Sequence, residues 1–269
     1  MNVRIVAVVA ALLAAPLACQ AGIIVTGSLT REYEVAPGRT YEGSIDVKNP
    51  DKTPQEIKAY QTDYFFYADG KVLYGDPGAL PRSNARWMTL SPQQVTIPPN
   101  ETVSVHFSVQ VPNDATLTGT YWSVVMVEPL PEGSAESSQP GPKNTGVGVS
   151  QVLRYAVQIV THMGATGTRL LKFSQISLVS EKEKRLLLVD VENTGERWLR
   201  GTLWAELYDS RGSKVGKFDG GKQRMYPGTS VRFTVDLIGV QDPSYKALIV
   251  VDCGDEDVFG ANVTLVLKQ

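Results

Sequence analysis

The sequence is poor in the residues that carry most catalytic and metal chemistry. It contains two histidines and two cysteines in 269 residues, and neither histidine lies near a Cys, Asp or Glu at metal-ligand spacing. His106 and His162 also lack nearby partners that would orient a catalytic triad, and no nucleophile-elbow pattern occurs. We therefore expect no enzymatic activity, no bound metal and no cofactor.

The sequence also lacks a strong charge of one sign and, after its first residues, a long apolar run. The formal net charge is −2, which does not predict a surface for polyanions, so we expect no nucleic-acid partner. The apolar run Ala247–Val251 has only the length of a strand. We therefore expect no transmembrane segment in the mature chain.

The first residues have the order of a secretory signal peptide. Arg4 supplies a short positive region, Ile5–Leu17 is uncharged and apolar, and residues 18–22 are small or polar. The apolar run is too short to span a bilayer. We predict that residues 1–21 are a cleaved signal peptide and that the mature, exported chain begins near Gly22.

Cys19 leaves a second interpretation open, in which a lipid is attached to a cysteine at the mature N-terminus. Such signals normally have Leu three residues before the cysteine, and Pro16 occupies that position here. We therefore favour simple cleavage, with lipid anchoring at Cys19 as the alternative. If Cys19 is removed with the signal, Cys253 is the only remaining cysteine and no intramolecular disulfide is possible.

The rest of the chain has the period-two hydrophobic alternation of β-strands. It is clear in Gly43–Lys48, Thr102–Val109 and Ser230–Leu237, and Pro-Gly, Asp-Gly and Arg-Gly pairs separate such segments. No segment has a sustained 3.6-residue period. Many short strands without alternating helices predict β-sandwiches rather than a parallel α/β sheet.

Three sequence elements occur twice and in the same order. Each copy contains a strand that ends in Asn, then a turn with a basic residue, then a proline-led strand. The pairs are Ser44–Asn49 with Leu188–Asn193, Ala68–Val72 with Ser210–Val215, and Pro99–Phe107 with Pro227–Phe233. The repeat predicts two copies of one sandwich, in domains 22–165 and 166–269.

The first copy contains two insertions and the chain contains four tryptophans. The insertions are Asp76–Arg86 and Pro129–Thr145, of which the second is rich in Pro, Gly and Ser. Trp122 and Trp204 lie in alternating strands, so we predict that both are in the core between sheets. For Trp87 and Trp198, which lie nearer turns, we predict core or rim positions.

Three segments of the first copy resemble the PapD-like periplasmic pilus and fimbrial chaperone family. Thr118–Pro129 is similar to that family's aromatic-rich penultimate strand, and Val149–Thr161 is similar to its long last strand. Trp87–Pro99 fits in the expected order. The resemblance covers most of residues 24–165, with a looser match over the rest. It implies two tandem immunoglobulin-like β-sandwich domains.

The resemblance also implies a mode of binding. Such chaperones add their last first-domain strand to a secreted subunit that lacks one strand, so that backbone hydrogen bonds and alternate apolar side chains hold the subunit. Carried over, the donor strand is Val147–Val157, with Val147, Val149 and Leu153 as the apolar side chains. Gln151 interrupts their alternation.

The family further holds the subunit's C-terminal carboxylate between two basic residues in the cleft between its domains. Arg31 fits the first position within about two residues. Gln158 stands where the family has a lysine, and Arg154 lies on the same strand face as Gln158. The resemblance thus implies a binding site of Arg31, Arg154 and Gln158. The alternative is that both arginines are simply solvated.

A second family is also similar to the first copy. The sandwich of WxL-interacting cell-surface proteins shares Pro37-Gly38, Val103–Phe107, Val111-Pro112 and Gly119–Tyr121. Those proteins continue into a membrane helix and a basic tail, whereas this sequence ends at Gln269 with neither. That difference favours a soluble periplasmic protein.

The sequence therefore predicts a periplasmic chaperone-like factor for secreted pilus or fimbrial subunits. Its expected partners are such a subunit and an outer-membrane usher. The alternative is a structural or adhesive cell-envelope module that binds peptidoglycan or another surface protein.

Overall fold

The computed structural model describes residues 22–139, 152–181, 184–240, 244–254 and 256–266. Within these ranges the protein is all-β, without an α-helix and with one short 3-10 helix at Ala85–Trp87. The same residues contain no helix of the length and hydrophobicity that a membrane span requires. The predicted signal peptide and residues 140–145 of the second insertion lie outside the described residues.

Ten strands precede residue 165 and form two facing sheets. They are β1 (Ile24–Val25), β2 (Thr30–Val35), β3 (Thr40–Lys48), β4 (Gln55–Phe66), β5 (Val72–Gly75), β6 (Met88–Ser91), β7 (Gln94–Ile97), β8 (Thr102–Gln110), β9 (Gly119–Pro129) and β10 (Tyr155–Met163). One sheet has the order β1-β3-β8-β6. The other has the order β2-β10-β9-β4-β5, with β7 also paired to β4. A core of buried aliphatic residues, with Phe107, fills the space between them.

Seven strands follow and form a second pair of sheets. They are β11 (Leu171–Glu181), β12 (Lys184–Asn193), β13 (Leu199–Tyr208), β14 (Lys214–Met225), β15 (Ser230–Asp236), β16 (Ser244–Asp252) and β17 (Val258–Val266). The sheet orders are β11-β12-β15 and β14-β13-β16-β17, and they enclose a separate core that contains Phe233. The chain thus forms two tandem immunoglobulin-like β-sandwiches.

The alternation of side chains determines which face of each strand is buried. In β8, Val105 and Phe107 are buried, and His106 between them is exposed, as the sequence predicts. β9 is an exception, because nearly all of its residues are buried on both faces. One face, with Val125 and Val127, lies on the core of the first sandwich, and on the other face Thr120 and Trp122 contact the second sandwich.

Two repeated asparagines have the same structural role. Asn49 follows β3 and Asn193 ends β12, and both are fully buried. The Nδ2 of Asn49 donates to three backbone carbonyls, and the Nδ2 of Asn193 donates to those of Arg197 and Met225. Each Oδ1 accepts the N–H of the residue two positions later. The sequence repeat therefore marks an equivalent corner in each sandwich.

The first insertion is organised around a buried carboxylate. Asp63 of β4 accepts the N–H groups of Gly78 and Leu80, at 3.1 and 2.8 Å, and the hydroxyl of Ser83. Arg82 then reaches the second sandwich, where its guanidinium pairs with Glu196 at 2.9 Å. The insertion is therefore an ordered bridge between the two sandwiches.

The prediction for Trp122 and Trp204 is wrong about the layer they occupy. Trp122 is buried, but it stacks on Tyr226 of the second sandwich, with ring centroids 5.0 Å apart, instead of packing between the sheets. Trp204 lies on an outer sheet face under the Lys217 ammonium, 3.9 Å from the ring centroid. Alternation separates the two faces of a strand but does not tell which face a second domain covers.

Trp87 and Trp198 take positions that agree with the core-or-rim prediction. Trp87 packs partly against the first core and contacts Tyr121, with ring centroids 4.8 Å apart. Trp198 is half-buried at the edge of the aromatic cluster between the sandwiches.

Candidate functional site

The last strand of the first sandwich has a neighbour along its whole length on one side and along only part of it on the other. β9 pairs with β10 from Tyr155 to Met163 in antiparallel register. β2 pairs with it in parallel, but only from Gln158 onward. No described strand pairs with Tyr155–Val157 on that second side. We call these three residues the open edge.

The direction of the backbone groups identifies the residue of the open edge that can accept a further strand. The N–H of Gln158 donates to the Leu29 carbonyl at 2.8 Å, so Gln158 directs its backbone groups toward the β2 side. Successive residues of a strand direct these groups to opposite sides. Ala156 therefore directs its N–H and C=O to the β2 side as well, and no described strand lies opposite it there.

Exposed apolar side chains flank the open edge. Leu153 is 58% exposed and Val152 is 37% exposed immediately before β10, and Leu29 before β2 is 45% exposed. Leu153 lies two and four positions before Tyr155 and Val157, which pack on the first core, so it follows the same alternation. The other predicted donor side chains, Val147 and Val149, and the interrupting Gln151 lie outside the described residues.

The structure places Arg31 and Arg154 on opposite faces of the sheet. Arg31 is paired with Ile159, whose side chain is buried in the first core, so Arg31 lies on the inner side of its sheet. Its guanidinium lies beside Gly27 and donates to the Thr26 carbonyl at 3.4 Å. Because side chains alternate, Gln158 lies on the opposite face of the sheet from Arg31.

Arg154 already has an anionic partner. Its guanidinium Nε lies 2.7 Å from the Glu128 carboxylate on the outer face of β9, and its side chain is 60% exposed. Glu128 also accepts the Tyr60 hydroxyl at 3.4 Å. Arg154 is therefore a largely solvated residue beside the open edge.

Gln158 links the two sandwiches through its side-chain oxygen. Its Oε1 accepts the Tyr226 hydroxyl from the second sandwich at 2.9 Å and the Thr30 hydroxyl at 3.2 Å. Burial raises the pKa of Tyr226 to about 12, so its phenol stays protonated and remains a donor at neutral pH. The position where the resemblance implies a basic residue is thus occupied by neutral hydrogen-bonding groups.

The sequence did not indicate the charged residues that lie near Gln158 between the two sandwiches. Arg224 at the end of β14 places its Nη2 2.8 Å from the Oε1 of Glu32 on β2. The guanidinium also lies over the Trp198 ring, 4.5 Å from its centroid. No local pattern could have indicated this pair, because its members come from different sandwiches and meet only in the folded chain.

His162 is buried in the same interface. Its Nδ1 shares a hydrogen bond with the Thr120 hydroxyl at 3.1 Å, its ring stacks on Trp198, and its Nε2 lies 3.5 Å from the Glu32 carboxylate. Burial lowers the pKa of His162 below its ordinary value and outweighs the nearby Glu32 carboxylate, which raises it. The imidazole is therefore neutral at pH 7 and serves packing.

A second buried carboxylate holds the described start of the second insertion. Glu56 of β4 accepts the Ser137 hydroxyl at 2.7 Å, both the N–H and the hydroxyl of Ser138 at 2.7 Å, and the Gln94 amide at 2.8 Å. These hydrogen bonds lower the pKa of Glu56 to about 2. Because β9 separates β4 from β10, residues 137–139 are held away from the open edge.

The described residues contain no group of three or more His, Cys, Asp or Glu side chains placed to hold a metal ion. The thiol of Cys253 is half-buried, and burial raises its pKa to about 11. A protonated thiol is a poor nucleophile and a poor metal ligand.

Comparison with known proteins gives structural matches only. No protein-family model matches the chain, and no curated protein matches it. The class 5 fimbriae chaperone CfaA is 14% identical, with 90% of this chain and 98% of that one covered and a TM-score of 0.49. A chaperone–tip adhesin complex of CFA/I fimbriae biogenesis is 15% identical, with 91% of this chain and 98% of that one covered and a TM-score of 0.48.

A third match is the CsuC–CsuE chaperone–tip adhesion subunit pre-assembly complex from Csu pili of Acinetobacter baumannii. It is 14% identical, with 89% of this chain and 98% of that one covered and a TM-score of 0.45. These identities and TM-scores are too low to transfer a role or a residue. The fold and the site of this chain rest on its own strand pairings and contacts.

Proposed function

We propose that this protein is a periplasmic chaperone-like factor that binds secreted pilus or fimbrial subunits by donating a β-strand. One observation carries the proposal. The last strand of the first sandwich begins with an open edge, Tyr155–Val157, and exposed apolar side chains lie beside it. A free edge with apolar neighbours is the surface on which an extended partner strand is added.

The chemistry of such an edge fits an incomplete sandwich. A subunit that lacks one strand exposes unpaired backbone groups and part of its core, and both promote aggregation. Ala156 offers one N–H and one C=O toward the open side, and Leu153 offers an apolar side chain for the subunit's groove. The strand that donates these groups is rigid at its base, because β9 pairs with all of β10.

The proposal also covers export, the two domains and the partner. Residues 1–21 direct export to the periplasm, residues 22–165 form the subunit-binding domain, and residues 166–269 form the second domain. The partner is a secreted fibre subunit, which the complex delivers to an outer-membrane usher. We place the end of the bound subunit on the outer face of β10, where Arg154 is largely exposed and Gln158 lies, since Arg31 faces the inner side of the sheet.

The test is the recovery of a small secreted subunit with the native protein from periplasmic extract. Ala156→Pro removes the N–H that points to the open side and leaves the pairing with β9 intact, because Ala156 does not bond to β9. We expect this variant to recover at least about tenfold less subunit, as strand addition depends on main-chain hydrogen bonds. Ala156→Val keeps the N–H and is the matched control.

A second variant tests the apolar contribution to subunit binding. Leu153→Asp places a charge beside the open edge, whereas Leu170→Asp places the same charge on a leucine of similar exposure far from it. We expect only Leu153→Asp to reduce recovery. If Ala156→Pro and Leu153→Asp both fold and recover as much subunit as the native protein, the strand-donation proposal is wrong.

A further inference from the structure

A pocket lies on the sheet of the first sandwich that does not contain the open edge. It has a volume of about 490 Å³, within the range of small-molecule sites, and it lies at the end of the sheet β1-β3-β8-β6. Its lining includes Thr40, Arg86, Trp87, Thr89, Ser108 and Gln110. The proposed subunit-binding function uses none of these residues.

The strands present the polar groups of the pocket in two rows. Thr40 of β3 is paired with Gln110 of β8, and Thr89 of β6 is paired with Ser108 of β8. All four side chains point outward, because they alternate with buried residues such as Val109. The side chains of Thr40, Ser108 and Gln110 have no hydrogen-bond partner among the described residues, so they are available to a ligand.

Arg86 is the one charged residue among those that line the pocket. It forms no ion pair with any described residue. Its side chain lies against Gly78, where an added Cβ would be 2.3 Å from the Arg86 Cγ and 2.4 Å from its Nε, so the glycine leaves room for the side chain as far as the start of the guanidinium. Arg86 therefore offers a guanidinium fork for a planar anion such as a carboxylate.

Trp87 lines the pocket and is anchored by the first core. One part of its indole packs against Tyr121 and the first core, and the half-buried remainder lines the pocket. Its Nε1–H donates to no described residue. The ring is therefore held in place by the core while it presents an aromatic surface and one donor to a ligand.

These features select among ligand classes. Sites for apolar molecules are lined mainly by apolar side chains, whereas this lining has one aromatic ring and Pro112 among hydroxyl, amide and guanidinium groups. Hydroxyls and amides both donate and accept, as the hydroxyls of a sugar do. The single guanidinium adds a preference for one negative charge.

We propose that this pocket binds an acidic saccharide, that is, a sugar unit that carries a carboxylate. Arg86 pairs with the carboxylate, the Trp87 ring packs against the sugar ring, and Thr40, Ser108 and Gln110 bond to its hydroxyls. Such a site attaches the first sandwich to a carboxylated glycan of the cell envelope and leaves the open edge free.

The test is calorimetric titration of the mature protein with two pairs of disaccharides. N-acetylglucosaminyl-N-acetylmuramic acid is compared with neutral N,N′-diacetylchitobiose, and digalacturonic acid is compared with neutral digalactose. We expect at least one acidic member to bind about tenfold or more tightly than its neutral counterpart, because a charged hydrogen-bonded pair has roughly that effect. The two pairs distinguish a peptidoglycan-type sugar from a uronic acid polymer.

Two variants assign the binding to the pocket. Arg86→Gln is expected to lower the affinity for the acidic sugar to that of the neutral one, and Gln110→Ala is expected to weaken both. Arg211→Gln, at an exposed turn of the second sandwich, is the matched control and should bind as the native protein does. The proposal is overturned if neither acidic disaccharide binds more tightly than about 1 mM, or if Arg86→Gln and Gln110→Ala bind with native affinity.

Discussion

At the end of β12, one amide side chain ties together three parts of the second sandwich. The Nδ2 of Asn193 donates to the carbonyls of Arg197 and Met225 at 2.8 and 2.9 Å, and its Oδ1 accepts the Gly195 N–H at 3.0 Å. The Asn193 side chain is fully buried. At the scale of single residues, such buried polar corners define where the chain leaves one sheet for the next.

Asn193→Ala is expected to lower the free energy of unfolding by about 2–4 kcal/mol. Three hydrogen bonds are lost at roughly 1 kcal/mol each, and the stranded carbonyls add a desolvation penalty. Urea denaturation monitored by tryptophan fluorescence measures the loss. Asn262→Ala, at an exposed position of β17, is the control and should change stability by less than about 0.5 kcal/mol. A loss no larger than that of the control would contradict this role of Asn193.

At the scale of elements, the start of β9 meets the turn between β12 and β13 with almost no space between them. Gly119 has φ +74°, and a Cβ added there would lie 2.1 Å from the Glu196 carbonyl oxygen. The next residue, Thr120, donates its N–H to that same carbonyl at 2.8 Å. This joint requires glycine both for its backbone conformation and for its close approach.

Gly119→Ala should therefore destabilise the protein more than the same change at another glycine with positive φ. Gly221 has φ +83° and no atom within 4 Å of an added Cβ, so Gly221→Ala has only the backbone cost of about 1–2 kcal/mol. We expect Gly119→Ala to lose at least about 1 kcal/mol more, because the turn at Glu196 must move. Equal losses in parallel urea titrations would show that the joint is not tightly packed.

At the scale of the whole molecule, the two sandwiches share one interface of aromatic and charged groups. Trp122 and Val160 of the first sandwich pack against Tyr226 of the second, and Arg224 pairs with Glu32 across the boundary. Buried His162 lies beside this pair and stacks on Trp198. A neutral imidazole next to a carboxylate is thus part of the contact between the sandwiches.

This interface should make stability depend on pH. Burial lowers the pKa of His162 in the folded protein below its ordinary value of 6.5, so the unfolded chain binds its proton at higher pH. The free energy of unfolding is therefore highest above about pH 6.5, where His162 is neutral in both states. It falls as the pH drops below 6.5, because the unfolded chain then binds a proton that the folded protein does not. The slope for one proton is at most about 1.4 kcal/mol per pH unit.

The charges that face His162 all belong to the interface. They are Glu32 and Glu34 on β2 and Arg197 in the turn before β13. His162→Gln keeps a neutral polar side chain, so we expect its unfolding free energy to fall less than that of the native protein between pH 7.5 and 5. His106→Gln alters an exposed histidine and should retain the native profile. Identical profiles for the native protein and His162→Gln would exclude this dependence.

Much of the fold was predictable because it is encoded in neighbouring residues. The period-two alternation predicts the strands and the exposed position of His106, since adjacent side chains of a strand point to opposite faces. The repeat that ends in Asn49 and Asn193 predicts two similar sandwiches, and both asparagines occupy equivalent buried corners. The scarcity of histidine and cysteine likewise leaves few side chains for catalysis or metal binding.

The candidate site required the tertiary structure. The length of the open edge depends on where β2 begins to pair with β10. The register of that pairing also decides the face on which Arg31 lies: Arg31 is paired with Ile159 and faces the core, whereas Gln158 is on the other face. The outward faces of Trp122 and Trp204 and the pair of Glu32 with Arg224 depend on how the sandwiches meet. The sequence by itself determined the strands and their repeat, because alternation is local. Only the tertiary structure decided which faces and edges stay open, because that depends on contacts between distant segments.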